Sequence, residues 1–168
     1  MQYTANGTDY FAAGVTGIMT AAPDMPSGGH ATYTGDAYAN SDDITTTAIT
    51  NEFQLFDGVS TVVADFGAGT ATVNLANFAT RTGTGAQTFD QIQGSGIVIS
   101  GAHFTGGTWV TMQGGVPVNA VGANVSSTSN GTFFGYDANI SAPAEVGGVV
   151  SFVGSTGAIT GVYIAAAP

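Results

Sequence analysis

No window of a dozen residues in this chain combines an apolar period of 3.6 with freedom from glycine and β-branched runs, so helices are all but excluded. What recurs instead is alternation of period two. From Thr70 to Leu75, Ala71, Val73 and Leu75 fall on one face and Thr70, Thr72 and Asn74 on the other, the pattern of a strand with one wet side. Ala31 to Tyr38 alternates in the same way. Val59 to Phe66, Gly96 to Ser100, Thr108 to Met112, Thr132 to Tyr136, Val149 to Val153 and Ala158 to Ile164 complete a set of about eight strands. Eight antiparallel strands can close into an up-and-down barrel just wide enough for side chains to fill.

The connections support closure. Gly67-Ala68-Gly69 and Gly154-Ser155-Thr156-Gly157 read as tight hairpin turns, and Gly114-Gly115 and Asn130-Gly131 as further corners. Gly35, Gly135 and Gly161 lie inside predicted strands, where glycine is costly unless the strand bends sharply or meets a bulky neighbour. Strongly curved barrel strands need such positions. Residues 28–168 are therefore assigned to the barrel. Residues 1–27 form an extension made of a strand-like segment and a Pro/Gly linker, Met19 to Gly29. Asn40 to Phe56, with the run Ile44 to Thr50, reads as an excursion outside the barrel, and Gln113 to Asn130 as a second long loop.

Charge narrows the function classes. Charged residues make up 7% of the chain, against about 25% in ordinary soluble proteins. Eleven are acidic and one, Arg81, is basic, for a net charge of −10. Nucleic acid is excluded as a partner, because neutralising phosphates takes Lys and Arg, and an anionic membrane surface is excluded for the same reason. There is no Cys, hence no disulfide, thiolate metal site or cysteine nucleophile. No segment reaches the length of a transmembrane helix. Met1 to Thr20 lacks the basic start and apolar run of a secretory signal, so a leader or lipoprotein peptide removed ahead of residue 1 is the expectation.

The C-terminal third carries a recognisable pattern. Asn130-Gly131-Thr132-Phe133-Phe134-Gly135-Tyr136-Asp137-Ala138, then Ala144-Glu145-Val146-Gly147-Gly148, then Gly161-Val162-Tyr163 resembles the closing signature of the transferrin-binding protein B-like β-barrel family. Gly28 to Gly35, Ala64 to Gly69 and Ile97 to Phe104 resemble earlier pieces of it, in the same order. Tyr136 stands where that family usually has Pro. The resemblance implies a surface lipoprotein or secreted protein of Gram-negative bacteria, some of whose relatives capture host iron or haem proteins. It does not carry transferrin binding over to a chain too short for two lobes. Within the signature Gly131, Phe133, Phe134, Gly135, Glu145, Gly147 and Gly148 read as structural. Phe133 and Phe134 face opposite ways, and the Glu145 carboxylate is expected to accept backbone N–H groups and anchor its loop, with ligand contact as the other reading.

Candidate chemistry is sparse. His30 and His103 are the only imidazoles and could serve a haem iron, or simply make local hydrogen bonds at the barrel rim. Asp36, Asp42 and Asp43 supply hard oxygens suited to Ca²⁺, or form part of a solvated acidic surface. Nucleophile elbows and Walker loops are missing, and no cofactor is expected. Trp109, the single Trp, is expected as a barrel plug rather than an exposed anchor. Two functions follow. One is a non-enzymatic extracellular or cell-surface module whose loops bind a protein or small solute; the other is a self-assembling surface or fibre subunit that exchanges residues 1–27 between copies.

Overall fold

The computed structural model describes residues 2–5, 8–11, 14–43, 54–83, 86–123 and 125–168, and for 2–5, 8–11 and 43 the backbone alone. Each alternating segment of the sequence is a strand. After a short hairpin, β1 (Gln2–Ala5) and β2 (Thr8–Phe11), come β3 (His30–Asp43), β4 (Gln54–Asp65), β5 (Thr70–Thr82) and β6 (Gln91–Ser100). Then follow β7 (His103–Thr105), β8 (Thr108–Gln113), β9 (Val116–Val118), β10 (Ser126–Phe134), β11 (Glu145–Val153) and β12 (Gly157–Ala166). A 3-10 turn at Ala22–Asp24 is the only helical element among the described residues.

All barrel pairings are antiparallel. The ring runs β5-β4-β3-β12-β11-β10-β7-β6 and closes where β6 pairs with β5, at Thr70↔Val98 through Leu75↔Ile92. Eight strands thus form a closed barrel, as the sequence pattern predicts, although the ring includes β7, which the pattern does not mark, and the predicted strand Thr108 to Met112 is β8, beside it. Its two ends differ. One rim carries the turns 66–69 and 101–102, the loop 135–144 and the start of β3; the other carries the turns 114–115 and 154–156 and the segments joining β5 to β6 and β9 to β10.

The interior is packed solid. Tyr33, Phe56, Phe89, Phe104, Phe133 and Phe152 are among its fully buried side chains. Phe133 is within 5.2–6.0 Å of the rings of Phe104, Phe66 and Tyr33, and Phe56, Phe78 and Phe89 make a second cluster at centroid distances of 5.0–6.5 Å. Glycines make room for these groups. A Cβ on Gly161 would stand 3.4 Å from the ends of both Leu75 and Ile92, which reach it from the opposite wall. At Gly35 it would meet the backbone of β12, so that glycine permits the close approach of two curved strands, as expected.

Three local readings are corrected. Asn130-Gly131 is not a corner but the middle of β10, because Gly131 faces inward and its missing side chain is replaced by the ring of Phe104. Gly135 is not inside a strand: its φ of +62° ends β10 and leaves Tyr136 outside it, exposed. Gln113 to Asn130 is only partly loop, since it contains β9 and the first half of β10. The excursion expected after β3 falls largely on residues 44–53, outside the described residues.

The segment Met19 to Gly29 is anchored at its start. Thr20 N–H donates to Phe133 O (3.0 Å), Gly135 N–H donates to Ile18 O (2.9 Å), and Thr20 Oγ1 donates to Gly135 O (2.7 Å). Residues 14–20 form a strap on the outer wall, with Gly17 against the ring of Phe134 and Val15 over Gly147. Phe134 is therefore buried outside the barrel and Phe133 inside it, the opposite facing read from the sequence.

Two expectations can be checked in solution. Gly131→Ala forces a methyl group into the Phe104 ring and should lower unfolding stability by about 1–3 kcal/mol in urea titrations, with Phe104→Leu in the same chain restoring part of the loss. Burial of the Tyr33 and Tyr163 hydroxyls, which have no hydrogen-bond partner among the described residues, raises both phenols well above their ordinary value. An acid whose folded pKa is raised contributes stability that is complete below its unfolded pKa and is lost as pH climbs beyond it. Urea midpoints should therefore be flat with respect to this pair up to about pH 10 and fall above it, with a shallower fall in the Tyr33→Phe/Tyr163→Phe double variant.

Candidate binding site

With the lumen filled, any ligand must meet the rims or the wall. At the first rim, His30 opens β3 with Nδ1 3.7 Å from Asp65 Oδ2, and His103 opens β7 with Nδ1 3.1 Å from Thr132 Oγ1. The strand order sets β3 and β7 four strands apart in either direction around a ring of eight. The two imidazoles thus stand across the barrel from one another, each engaged locally, and the structure does not bring them to one iron.

The acidic candidates also separate. Asp36 lies midway along β3 on the outer wall, opposite Ile164 and Val59, whereas Asp42 lies at the far rim. Six residues of extended strand, about 20 Å, divide them, so they do not share an ion. The side chain of Asp43 lies outside the described residues.

Glu145 differs from its sequence reading. As the first residue of β11 it pairs through its backbone with Ala166 and Phe134, its side chain is exposed, and it accepts no hydrogen bond among the described residues. The loop is instead fastened by Asp137, whose Oδ1 accepts Asn139 N–H (2.8 Å) while its backbone exchanges bonds with Ala142. That Asp-x-Asn arrangement is a local turn signal available in the sequence but overshadowed by the Glu. Gly147 and Gly148 are closely packed. A Cβ on Gly147 would strike Val15 of the strap, and one on Gly148 would strike the Tyr163 hydroxyl.

At the second rim a pocket of about 260 Å³ is lined by Asp42, Gln54, Thr88, Val121, Thr156 and Ile159, among others. Trp109 sits nearby in the wall. It is buried, as expected of a plug, with its ring over Gly94 and its Nε1–H donating to Gly106 O (2.8 Å) and Ser129 Oγ (3.1 Å). Sequence reading had no means of finding the Trp109–Ser129 contact, because it depends on how far β8 swings away from β10.

The comparisons with known proteins agree with this architecture. Residues 25–167 match the model of a family described as the C-lobe and N-lobe β-barrels of Tf-binding protein B. The chain belongs to that family. Among solved structures, a transferrin-binding protein B double mutant from Haemophilus parasuis superposes with a TM-score of 0.59 at 19% identity, over 89% of this chain and 28% of that one. The isotype 1 protein from serogroup B Neisseria meningitidis gives a TM-score of 0.53 at 19% identity, over 85% of this chain and 26% of that one. At such identity the likeness is one of fold, and the chain spans only about a quarter of those proteins. No curated protein matches it in sequence.

The loop assignment is testable. Asp137→Ala should lower stability by about 1 kcal/mol and speed amide exchange at Asn139, whereas Glu145→Ala should leave the urea midpoint within about 0.5 kcal/mol of the parent. The reverse ranking would return the anchoring role to Glu145.

Proposed function

We propose that this barrel is a non-enzymatic, extracellular or cell-surface module that binds a protein partner through its rims and wall. The observation that carries the reading is membership of the transferrin-binding protein B barrel family in a chain whose lumen is filled with aromatic side chains. A lipocalin-like barrel holds its solute inside; this one has no such space, so recognition is left to exposed loops and strand edges. Chemistry finds little support here. The imidazoles are held apart across the ring, and the paired Arg81 and Asp57, 3.6 Å apart, lie on the open outer surface.

Solved relatives are titled as transferrin-binding proteins, which favours a protein over a small solute as the partner. Transferrin itself is not assigned, since the chain corresponds to one barrel out of a protein about three times as long. The net charge of −10, with the single basic side chain already facing Asp57, points to a partner with a basic contact surface.

Photo-crosslinkers placed at Ala138 on one rim and Thr156 on the other should capture a defined protein from intact cells or culture medium. Antibody should also label the barrel without cell lysis. Crosslinks to cytosolic proteins alone, or labelling only after lysis, would overturn the reading.

A further inference from the structure

The ring closes completely at one end only. From the first rim, β7 pairs with β10 at three positions, Thr132↔His103, Gly131↔Phe104 and Asn130↔Thr105. Beyond them Gly106 and Gly107, at φ of +77° and +82°, turn the chain aside, and β8 leaves β10 to pair with β6 and β9. Among the described residues, nothing takes up the ladder of Ser126–Ser129 on that side. Phe133 N–H donates to Ala102 O on the β7 side, so the odd-numbered residues of β10 aim their main chain that way. Ser127 and Ser129 therefore direct N–H and C=O into the opening.

Beside that edge, bordered by Val125 and by Phe152, the β11 partner of Ser127, lies a wedge of about 190 Å³ whose lining also includes Trp109, Pro117, Val118 and Val121. Its apex is clasped by the Trp109 and Ser129 bonds to Gly106. Its two edges are unlike. On β9, Gln113↔Val116 flanks the two-residue turn, so the next residue, Pro117, turns its main chain away from β8 and offers no N–H there. Proline on an exposed edge is a known guard against strand addition. The β10 edge, Ser126-Ser127-Thr128-Ser129, has neither proline nor charge.

We infer that the β10 edge at Ser126–Ser129 takes up an extended peptide segment of a basic protein partner, which adds as a strand and seats one apolar side chain in the wedge. An unpaired row of alternating donors and acceptors is matched by another extended backbone, and the apolar lining by a side chain of Val or Leu size. Basic flanks follow from charge. Asp90 stands at the β8–β9 turn, accepting Gly114 N–H at 2.8 Å, Asp42 lies beyond Val121, which lines both the wedge and the rim pocket, and the whole chain carries a net charge of −10. The inference rests on the barrel being a protein-binding module, but it fails separately. If rim crosslinks capture a partner that leaves Ser127 untouched, only the edge assignment falls.

The probe is the acetylated, amidated hexapeptide Lys-Val-Thr-Leu-Thr-Lys, titrated into the full chain. Trp109, the only Trp, reports on the wedge by its emission, and backbone amide shifts report on Ser127 and Ser129. Saturable binding with a Kd on the order of 1 mM is expected, with slowed exchange at both amides. Replacing both Lys by Glu, or raising salt from about 50 to about 500 mM, should weaken it several-fold. Ser127→Pro deletes a donor that β11 does not use, so it should abolish binding while keeping the urea midpoint. N-methylation of alternate peptide amides should do the same with the protein unaltered. Binding unaffected by both changes, or shifts confined to residues outside the wedge, would overturn the inference. So would amides at Ser127 and Ser129 that become protected simply on raising protein concentration, which would place a second copy there.

Discussion

Large rings set against glycines hold this barrel together. Phe104 occupies the place of a side chain at Gly131, Trp109 that at Gly94, the Tyr163 hydroxyl that at Gly148, and on the outer wall Phe134 that at Gly17. An eight-stranded ring leaves only enough interior for side chains, so an aromatic projecting from one strand needs a neighbour that projects nothing. Dense packing makes these pairs unforgiving, because an added methyl group has nowhere to go. The high glycine content, which taken alone suggests a floppy polymer, is the complement of the aromatic content. Where a strand glycine admits a ring, as at Gly94 and Gly131, the burial gained offsets the entropy that weakens the strand, at about 25 cal/mol for every Å² of apolar surface removed from water.

A lumen filled in this way decides where function can sit. Neither a solute cavity nor a buried cluster of titratable groups is compatible with a core in which Phe133 alone faces three other rings. What remains are rims, an acidic outer wall, and the one stretch where the sheet fails to pair. With so few charged groups, the surface also presents an unusual density of Thr, Ser and main-chain hydrogen-bonding groups. Such a surface is suited to directional polar contacts, and its net charge favours the approach of basic groups.

The fold was legible because strand alternation is a local property. Ala71, Val73 and Leu75 declare their face regardless of what lies across the barrel, and every alternating segment became a strand. Errors arose where a residue's role is fixed by something distant in sequence. Asn130-Gly131 has turn chemistry on its own, and only the Phe104 ring on the neighbouring strand reveals why the glycine is there. Glu145 looks like an anchor because it follows a Pro and precedes two glycines, yet being the first strand residue commits its backbone and turns its side chain to solvent. The candidate metal and haem residues suffered likewise. Nearness in sequence between Asp36 and Asp42 becomes separation along an extended strand, and the shared rim of His30 and His103 becomes opposite sides of a ring.

The partial closure follows from the same economy of space. Closing a barrel removes sheet edges, the usual sites of unwanted association, and a chain that closes seven of its eight seams along most of their length could be expected to close the last. Instead Gly106 and Gly107 part β8 from β10 at the level of Trp109. Trp109 shares the buried cluster of Phe104 and Phe152, its ring over Gly94, and its N–H reaches Gly106 and Ser129 at the point of parting. The two glycines and the bonds of Trp109 and Ser129 to Gly106 mark where the wedge begins, and Pro117 accounts for the protection of one of its edges. Neither accounts for the unguarded main chain of Ser127 and Ser129 on the other edge, and that asymmetry is what a strand-adding partner would use.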